Sequence, residues 1–319
     1  FGVGGGLYSG SGYVEIVNST ISGNVASNSD GGGLSSYNGL ITVVNSTITL
    51  NYAYGSGGGI DVRGGAVTIH NSIVAGNTNL GNDAPDINQN GNPITVRNSL
   101  IGDNAGTLLT ESQTPDGNGN FIGQSIANMG TGIIDPLLAP LAFNGGPTRT
   151  HALLAGSKAI DGGDDALAEA PGDDFSPGTD DSNEDPLATD QRGLVFARIA
   201  GVAVDMGAYE SQTFAGVSLI VDEASDVVDG DLSDGHRSLR ELIDVANSNA
   251  GMDTITFAAS LNGTPLLLDL GQLDIGESLV ITGNGAANTI IDAQQLSRIF
   301  NLDSTVVDVT LSGLTLQGG

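Results

Sequence analysis

The chain repeats itself every 26 or 27 residues, and no other feature narrows its possible folds so far. "GGGL" at Gly4–Leu7 returns at Gly31–Leu34 and as "GGGI" at Gly57–Ile60, in steps of 27 and 26. "NSTI" at Asn18–Ile21 returns at Asn45–Ile48, then as "NSIV" from Asn71 and "NSLI" from Asn98. A second asparagine follows the same beat at Asn24, Asn51, Asn77 and Asn104. Two independent markers sharing one period identify a stacked repeat, in which each unit needs its neighbours to bury its apolar side.

Within each repeat the residues alternate with a period of two. In "YVEIVNSTIS" Val14 and Ile16 fall on one face, with Glu15 and Val17 on the other. "LITVVNSTIT" and "AVTIHNSIV" behave alike. β-Branched residues in such alternation form strands, and this density of Gly, Asn and Thr leaves no helical periodicity. Short strands recurring once per 26 or 27 residues predict an all-β chain. The expected fold is a right-handed parallel β-helix with one coil per repeat, adjacent coils lying about 4.8 Å apart. A β-sandwich would not keep so constant a period, and propeller blades are longer.

Stacking gives the repeated asparagines a task. An Asn at one fixed corner can donate its amide to one neighbouring coil and accept from the other, so ladders are expected at Asn18, Asn45, Asn71 and Asn98 and at Asn24, Asn51, Asn77 and Asn104. Asn18, Asn45 and Asn262 also open glycosylation-type triplets. For the first two the ladder is the preferred reading, because the same Asn recurs without Thr at Asn71 and Asn98.

Residues 1–132 therefore read as β-helix coils. From Ile133 the repeat dissolves into a segment broken by Pro136, Pro140 and Pro147, followed by an acidic loop and "VAVDMGAYE". A β-helix has an exposed edge at each end, so residues 133–213 read as an irregular, acidic C-terminal cap and connector. After Phe214 strands return, preceded by one helix expected at 238–250. Ser238 and Glu241 form a capping box, Leu239, Leu242, Ile243 and Ala246 share a face, and Gly251 supplies the stop. That helix would lid the start of a second β-helix module spanning 214–319.

Charge restricts partners. The chain carries 37 acidic residues against nine Lys and Arg, a net charge of −28. Nucleic acid and anionic lipid are poor partners for such a surface, and no apolar run is long enough to span a membrane. Divalent cations suit it. Ca²⁺ is the expected ion, with candidate ligands at Asp161, Asp164, Asp165, Asp173, Asp174, Asp180, Asp181, Asp185 and Asp190 in the cap. Before the helix the candidates are Asp222, Asp226, Asp229, Asp231 and Asp234. His70, His151 and His236 stand too far apart in sequence for a zinc motif.

Catalysis finds little support. Lyases of this architecture need a base beside carboxylates, and the coils offer only Arg63, Arg97 and His70. Glycosidases need two paired carboxylates, and Glu15 and Asp61 stand alone. Trp, the usual platform for sugars, is absent. No catalytic residue is assigned.

Several segments together resemble the choice-of-anchor Q family of bacterial surface proteins: "SLRELIDVAN", "DTITFAASLNGT", "LDIGESLVITGNGAANTIIDA", "LSGLTLQGG", the "GGGL" and "NSTISGN" coils, "DPLLAPLAFNGGPTRTHALLAGSKAIDGGD", "TDQRG" and "VDMGAYE". The resemblance covers nearly the whole chain. It implies a secreted or cell-surface protein with a right-handed β-helix core, and a structural or adhesive role. The order is permuted, since in that family the "SLRE" segment opens the module and the "DMGAYE" segment closes it.

Setting Gly319 before the Phe1 of another copy gives "SGLTLQGG–FGVGGGLYSG", which reads as continuous coil. Aligning Ser312 with Asn18 of that copy gives a step of 25 residues. The expectation is therefore one period of a head-to-tail array, joined covalently or by stacking, with Phe1, Val3, Leu7, Leu311, Leu314 and Leu316 at the joint. The alternative is a carbohydrate-binding or lyase-like surface protein whose partner is a polysaccharide.

Overall fold

The computed structural model describes residues 4–169, 186–212, 214, 217–249, 251–302 and 308–319. It divides into two units. The first comprises Phe1–Ala139, His151–Gln191 and Arg198–Ser211; the second comprises Pro140–Thr150, Arg192–Ala197 and Gln212–Gly319. Residues 133–213 are thus shared between the units.

In the first unit all sheet pairing between strands is parallel, and each strand pairs with its counterpart one repeat away. One wall stacks Leu7–Ser9, Leu34–Ser36, Ile60–Val62 and Ile87–Asn88. The next stacks Gly12–Val17, Gly39–Val44, Ala66–His70 and Ile94–Arg97. A third stacks Thr20–Ser22, Thr47–Thr49, Ile73–Ala75, Leu100–Ile101 and Phe121–Ile122. Val25–Ala26, Tyr52–Ala53 and Thr78–Asn79 form a short fourth wall. The chain is a parallel β-helix, as the period requires.

The alternation read from sequence decides what lies inside. Ile16, Val43, Ile69 and Val96 form one inward column, and Ile21, Ile48, Val74 and Ile101 another. In the middle coils these side chains are fully buried, and each contributes roughly 2–3 kcal/mol over an exposed one. Outward positions in the same strands carry Val17, Val44, His70 and Arg97, one above another.

The triple glycines follow from coil spacing. Gly31 and Gly57 sit at φ +69° and +67°, a conformation costly for other residues. A Cβ on Gly32 would run into the carbonyl oxygen of Gly58 in the next coil.

The end of this stack beyond Phe121–Ile122 is covered by irregular chain. Ser112 bridges Ile122 and Gln124 bridges Gly132, both antiparallel, and Ile134 is buried with Ile73, Leu100 and Met206. The opposite end is bare among the described residues. Leu7–Ser9, Gly12–Val17, Thr20–Ser22 and Val25–Ala26 are all edge strands.

The second unit is also a parallel stack. Ile220–Val221, Asp253–Phe257, Leu279–Thr282 and Val309–Ser312 make one wall. Pro265–Leu267, Ile290–Asp292 and Thr315–Gln317 make another, and Leu273–Ile275 pairs with Phe300–Leu302. The helix Leu239–Ser248 packs on the first strands of this stack and buries Leu239, Leu242, Ile243 and Ala246 in its core. Its capping box is present: Glu241 N–H donates to Ser238 Oγ, and Ser238 N–H to Glu241 Oε2, both at 3.2 Å. The helix stops earlier than the sequence suggests. Asn249 already has extended backbone, so the turn at Gly251 follows the helix instead of ending it.

Candidate functional site

Asn24, Asn51 and Asn77 form an amide ladder through the first stack. Asn24 Nδ2 donates to Asn51 Oδ1, and Asn51 Nδ2 to Asn77 Oδ1, each at 2.9 Å. The backbone N–H groups of Asn24 and Asn51 donate to the same oxygens at 3.0 Å. Each Oδ1 therefore takes two bonds in a nearly dry environment, where an unmet polar group costs about 1–3 kcal/mol.

Asn104 does not continue the series. Asn77 instead donates to Asp86 Oδ1, while Asn104 Nδ2 turns to Leu109 O at 2.8 Å. The reason is local: the loop after Thr78–Asn79 brings Asp86 inward, and its carboxylate takes the seat that Asn104 would fill. Asp103 N–H donates to its other oxygen at 2.7 Å. Burial pushes the Asp86 carboxyl up to about 7, against the pull of these N–H donors.

Asn18, Asn45, Asn71 and Asn98 stack at equivalent corners but do not bond to one another through their amides. All four have left-handed backbone, with φ between 44° and 46°. Asn tolerates this region better than other non-glycine residues, which accounts for the recurring residue. The conformation turns the side chain away from the stack. Asn18 Nδ2 donates to Thr189 O at 2.7 Å. Asn71 Nδ2 donates to Asp164 O, and Asp164 N–H returns a bond to Asn71 Oδ1, both at 2.9 Å. The Asn45 amide is fully buried and has no hydrogen-bond partner among the described residues.

The ladder at this corner belongs to the next residue. Ser19 N–H donates to Ser46 Oγ, Ser46 N–H to Ser72 Oγ and Ser72 N–H to Ser99 Oγ, at 3.0–3.1 Å. Ser99 N–H ends the series on Asn120 Oδ1 at 3.2 Å. The signal was present in sequence, since Ser follows Asn in all four copies.

Asn18 and Asn71 instead fasten the coils to the irregular segment, at Thr189, Asp164 and Gly207. Thr20 Oγ1 donates to Gln191 Oε1 at 2.6 Å, and Ser22 Oγ lies 2.8 Å from His151 Nε2. Gly207 N–H donates to Asn71 O, and Ala208 N–H to Thr47 Oγ1. Beneath this clasp Arg198 Nη2 meets Glu210 Oε2 at 2.9 Å, both side chains fully buried. Burial and the neighbouring Asp205 raise the Glu210 carboxyl to about 7, opposed by Arg198. His151 packs in the clasp with its imidazole held below the ordinary range by burial.

The described aspartates among those expected to bind Ca²⁺ all have protein partners. Asp222 takes Arg237, and Asp226 takes Arg240 through two bonds of 2.7 and 2.9 Å. Asp229 N–H donates to Glu241, Asp231 accepts Ser233 N–H, and Asp234 pairs with Arg237 at the surface. Asp161 accepts Val202 N–H, Asp164 accepts Ala166 N–H, Asp165 accepts Val204 N–H and Asp190 accepts Glu210 N–H. Among the described residues no group of three or more His, Cys, Asp or Glu converges. Asp173, Asp174, Asp180, Asp181 and Asp185 lie outside the described residues, as do Phe1 and Val3 at the expected joint.

Of the remaining joint residues, Leu7 and Leu314 are half-buried, while Leu311 and Leu316 are 38% and 44% exposed. Leu311 continues the column of Ile281 and Leu316 that of Ile291, both of which are fully buried one coil earlier. These leucines extend the inward columns into the last described coil. Among the described residues no helix is long and apolar enough to cross a membrane.

Fold and ladders together define a parallel β-helix protein with its polar order built into the coil corners. Compared with family models, curated proteins and solved structures, the chain matches none.

Proposed function

We propose that this chain is a non-catalytic extracellular structural protein, one repeat of a head-to-tail β-helix array that forms a surface or matrix fibre with an adhesive role. One observation carries the reading. The strand, left-handed corner and strand of Val309–Gln317 in the second unit have the same form as Gly12–Ser22 in the first, so a coil of one copy matches a coil of another. Unpaired strand edges of matching form invite pairing. The resemblance to choice-of-anchor Q proteins supports the same surface setting. Ca²⁺ stabilises the assembly, drawn to a chain of net charge −28 and held by the aspartates of the cap and of the segment before the helix.

Electron microscopy and fibre diffraction of the concentrated protein test the proposal. The expected result is filaments with a reflection near 4.8 Å along the fibre axis. A monodisperse monomer at every concentration would overturn it.

A polysaccharide partner is the second reading. It is favoured by a cleft of about 570 Å³ lined by Arg97, Glu111 and Asp116 along with Thr95 and Asn118. Retention of the protein on an immobilised polysaccharide, abolished by Arg97→Ala, would support that reading over a purely structural one.

A further inference from the structure

We infer that the array, if formed as proposed above, has a single register: a second copy docks its coil 309–317 on the coil 12–22, with Gly313 of one copy above Asn18 of the other. The inference rests on the head-to-tail reading and adds which residues meet.

The corner fixes the match. In the first unit strand Gly12–Val17 turns at Asn18, φ +46°, and resumes as Thr20–Ser22. In the second unit Val309–Ser312 turns at Gly313, φ +65°, and resumes as Thr315–Gln317. Both have strand, one left-handed residue, one further residue, then strand. Superposing the left-handed residues gives a step of 24 residues across the joint, one less than the alignment of Ser312 with Asn18.

Side-chain parity demands the same register. With Gly313 above Asn18, Leu311 falls on Ile16, Val309 on Val14 and Leu316 on Ile21. Each of these extends an inward column. Slipping by one residue would set Leu311 on Val17, whose column is outward, and Leu316 on Ser22, which faces the clasp. A one-residue slip moves every side chain of a strand to the wrong face.

The backbone agrees. Thr47 N–H donates to Ser19 O, and Ile73 N–H to Ser46 O, one coil back in each case. In the second unit Thr315 N–H donates to Thr289 O by the same rule. Continuing it, Thr20 N–H donates to Leu314 O of the docked copy. Leu314 N–H would in turn donate to Ser19 Oγ, as each corner residue donates to the next serine of the ladder.

The chain has no cysteine, so paired substitutions report the register directly. Val17→Cys and Ser312→Cys are placed in separate copies, mixed and oxidised; Val17→Cys with Leu311→Cys is the slipped-register pair. Neighbouring coils about 4.8 Å apart lie within disulfide reach. The expected result is at least about tenfold more cross-linked dimer from the first pair than from the second. Dominance of the second pair would overturn the register and leave the array standing. Dimers of Val17→Cys alone would show like ends meeting and overturn it as well. No dimer from either pair, with a monomer on sedimentation and β circular dichroism retained, would overturn both the register and the array.

Discussion

Asn77 donates twice to one carboxylate oxygen of Asp86, through its backbone N–H at 3.0 Å and its Nδ2 at 2.9 Å. A ladder of neutral amides thus ends on a buried acid, and every rung upstream leans on that end. Asn51 sits mid-ladder, accepting two bonds from Asn24 and donating to Ile21 O and Asn77. Asn51→Ala strands the Asn24 donors and should cost about 3 kcal/mol, whereas Asn118→Ala, at an exposed position without left-handed backbone, should cost under about 0.5 kcal/mol. Urea denaturation of both variants measures the difference.

The corner asparagines should differ among themselves despite identical backbone. Asn71 exchanges two bonds with Asp164, while the Asn45 amide is buried without a partner among the described residues. Glycine keeps the left-handed conformation at either site. Asn71→Gly should therefore lower stability by about 1–3 kcal/mol, and Asn45→Gly by less than about 1 kcal/mol. Equal losses would mean that backbone conformation, not side-chain bonding, governs both corners.

Acid should stabilise this protein where it destabilises most. Burial raises the carboxyls of Asp61 to about 6 and of Asp86, Glu210 and Asp244 to about 7. The folded state holds these protons longer than the unfolded chain does. Their contribution is full below about pH 4 and is lost as pH climbs through 6 to 7. The melting temperature is expected to be higher at pH 5 than at pH 8. Glu210→Gln, which mimics the protonated acid, should remove part of that slope, at most about 3 kcal/mol. An unchanged slope in the variant would show that Glu210 does not titrate in this range.

Arg240 ties the capping helix to its stack. Beyond its two bonds to Asp226 it donates to Gln272 O at 2.9 Å and Gly271 O at 2.8 Å. A planar guanidinium can reach all four acceptors together, and an ammonium cannot. Arg240→Ala should lose about 3 kcal/mol, and Arg240→Lys should recover less than half of it. Calorimetric melting of the three proteins decides this.

Chelation tests the role of divalent ions. In low salt, EDTA should lower the melting temperature, and monovalent salt above about 0.15 M should not restore it by screening. Restoration by monovalent salt would indicate diffuse counter-ions instead of a bound ion.

The fold was legible because a 26–27 residue period and two-residue alternation leave few other packings. Ile48 and Ile69 lie where the alternation puts them, and Ser238 caps the helix it was expected to cap. The ladders were only partly legible. Sequence shows that Asn18 and Asn24 recur equally well, yet φ separates them: Asn24 stacks, and Asn18 turns outward to Thr189. Asp86 could not be found by period, since it lies nine residues from Asn77 and enters the ladder through a loop. Acidic clustering likewise could not show that Asp222 and Asp226 are taken by arginines 15 and 14 residues further on.

Along the Asn24–Asn51–Asn77 series each Nδ2 donates to the Oδ1 of the next rung, ending on Asp86, while Asn51 and Asn77 also donate back to Ile21 O and Ile48 O. The side-chain oxygens of both series accept from the same side, since in the Ser19–Ser46–Ser72–Ser99 series each N–H donates to the serine of the next coil. The column is therefore a vector. Any assembly that continues it would be a polar filament with two chemically distinct tips, so subunits would add at different rates at its two ends.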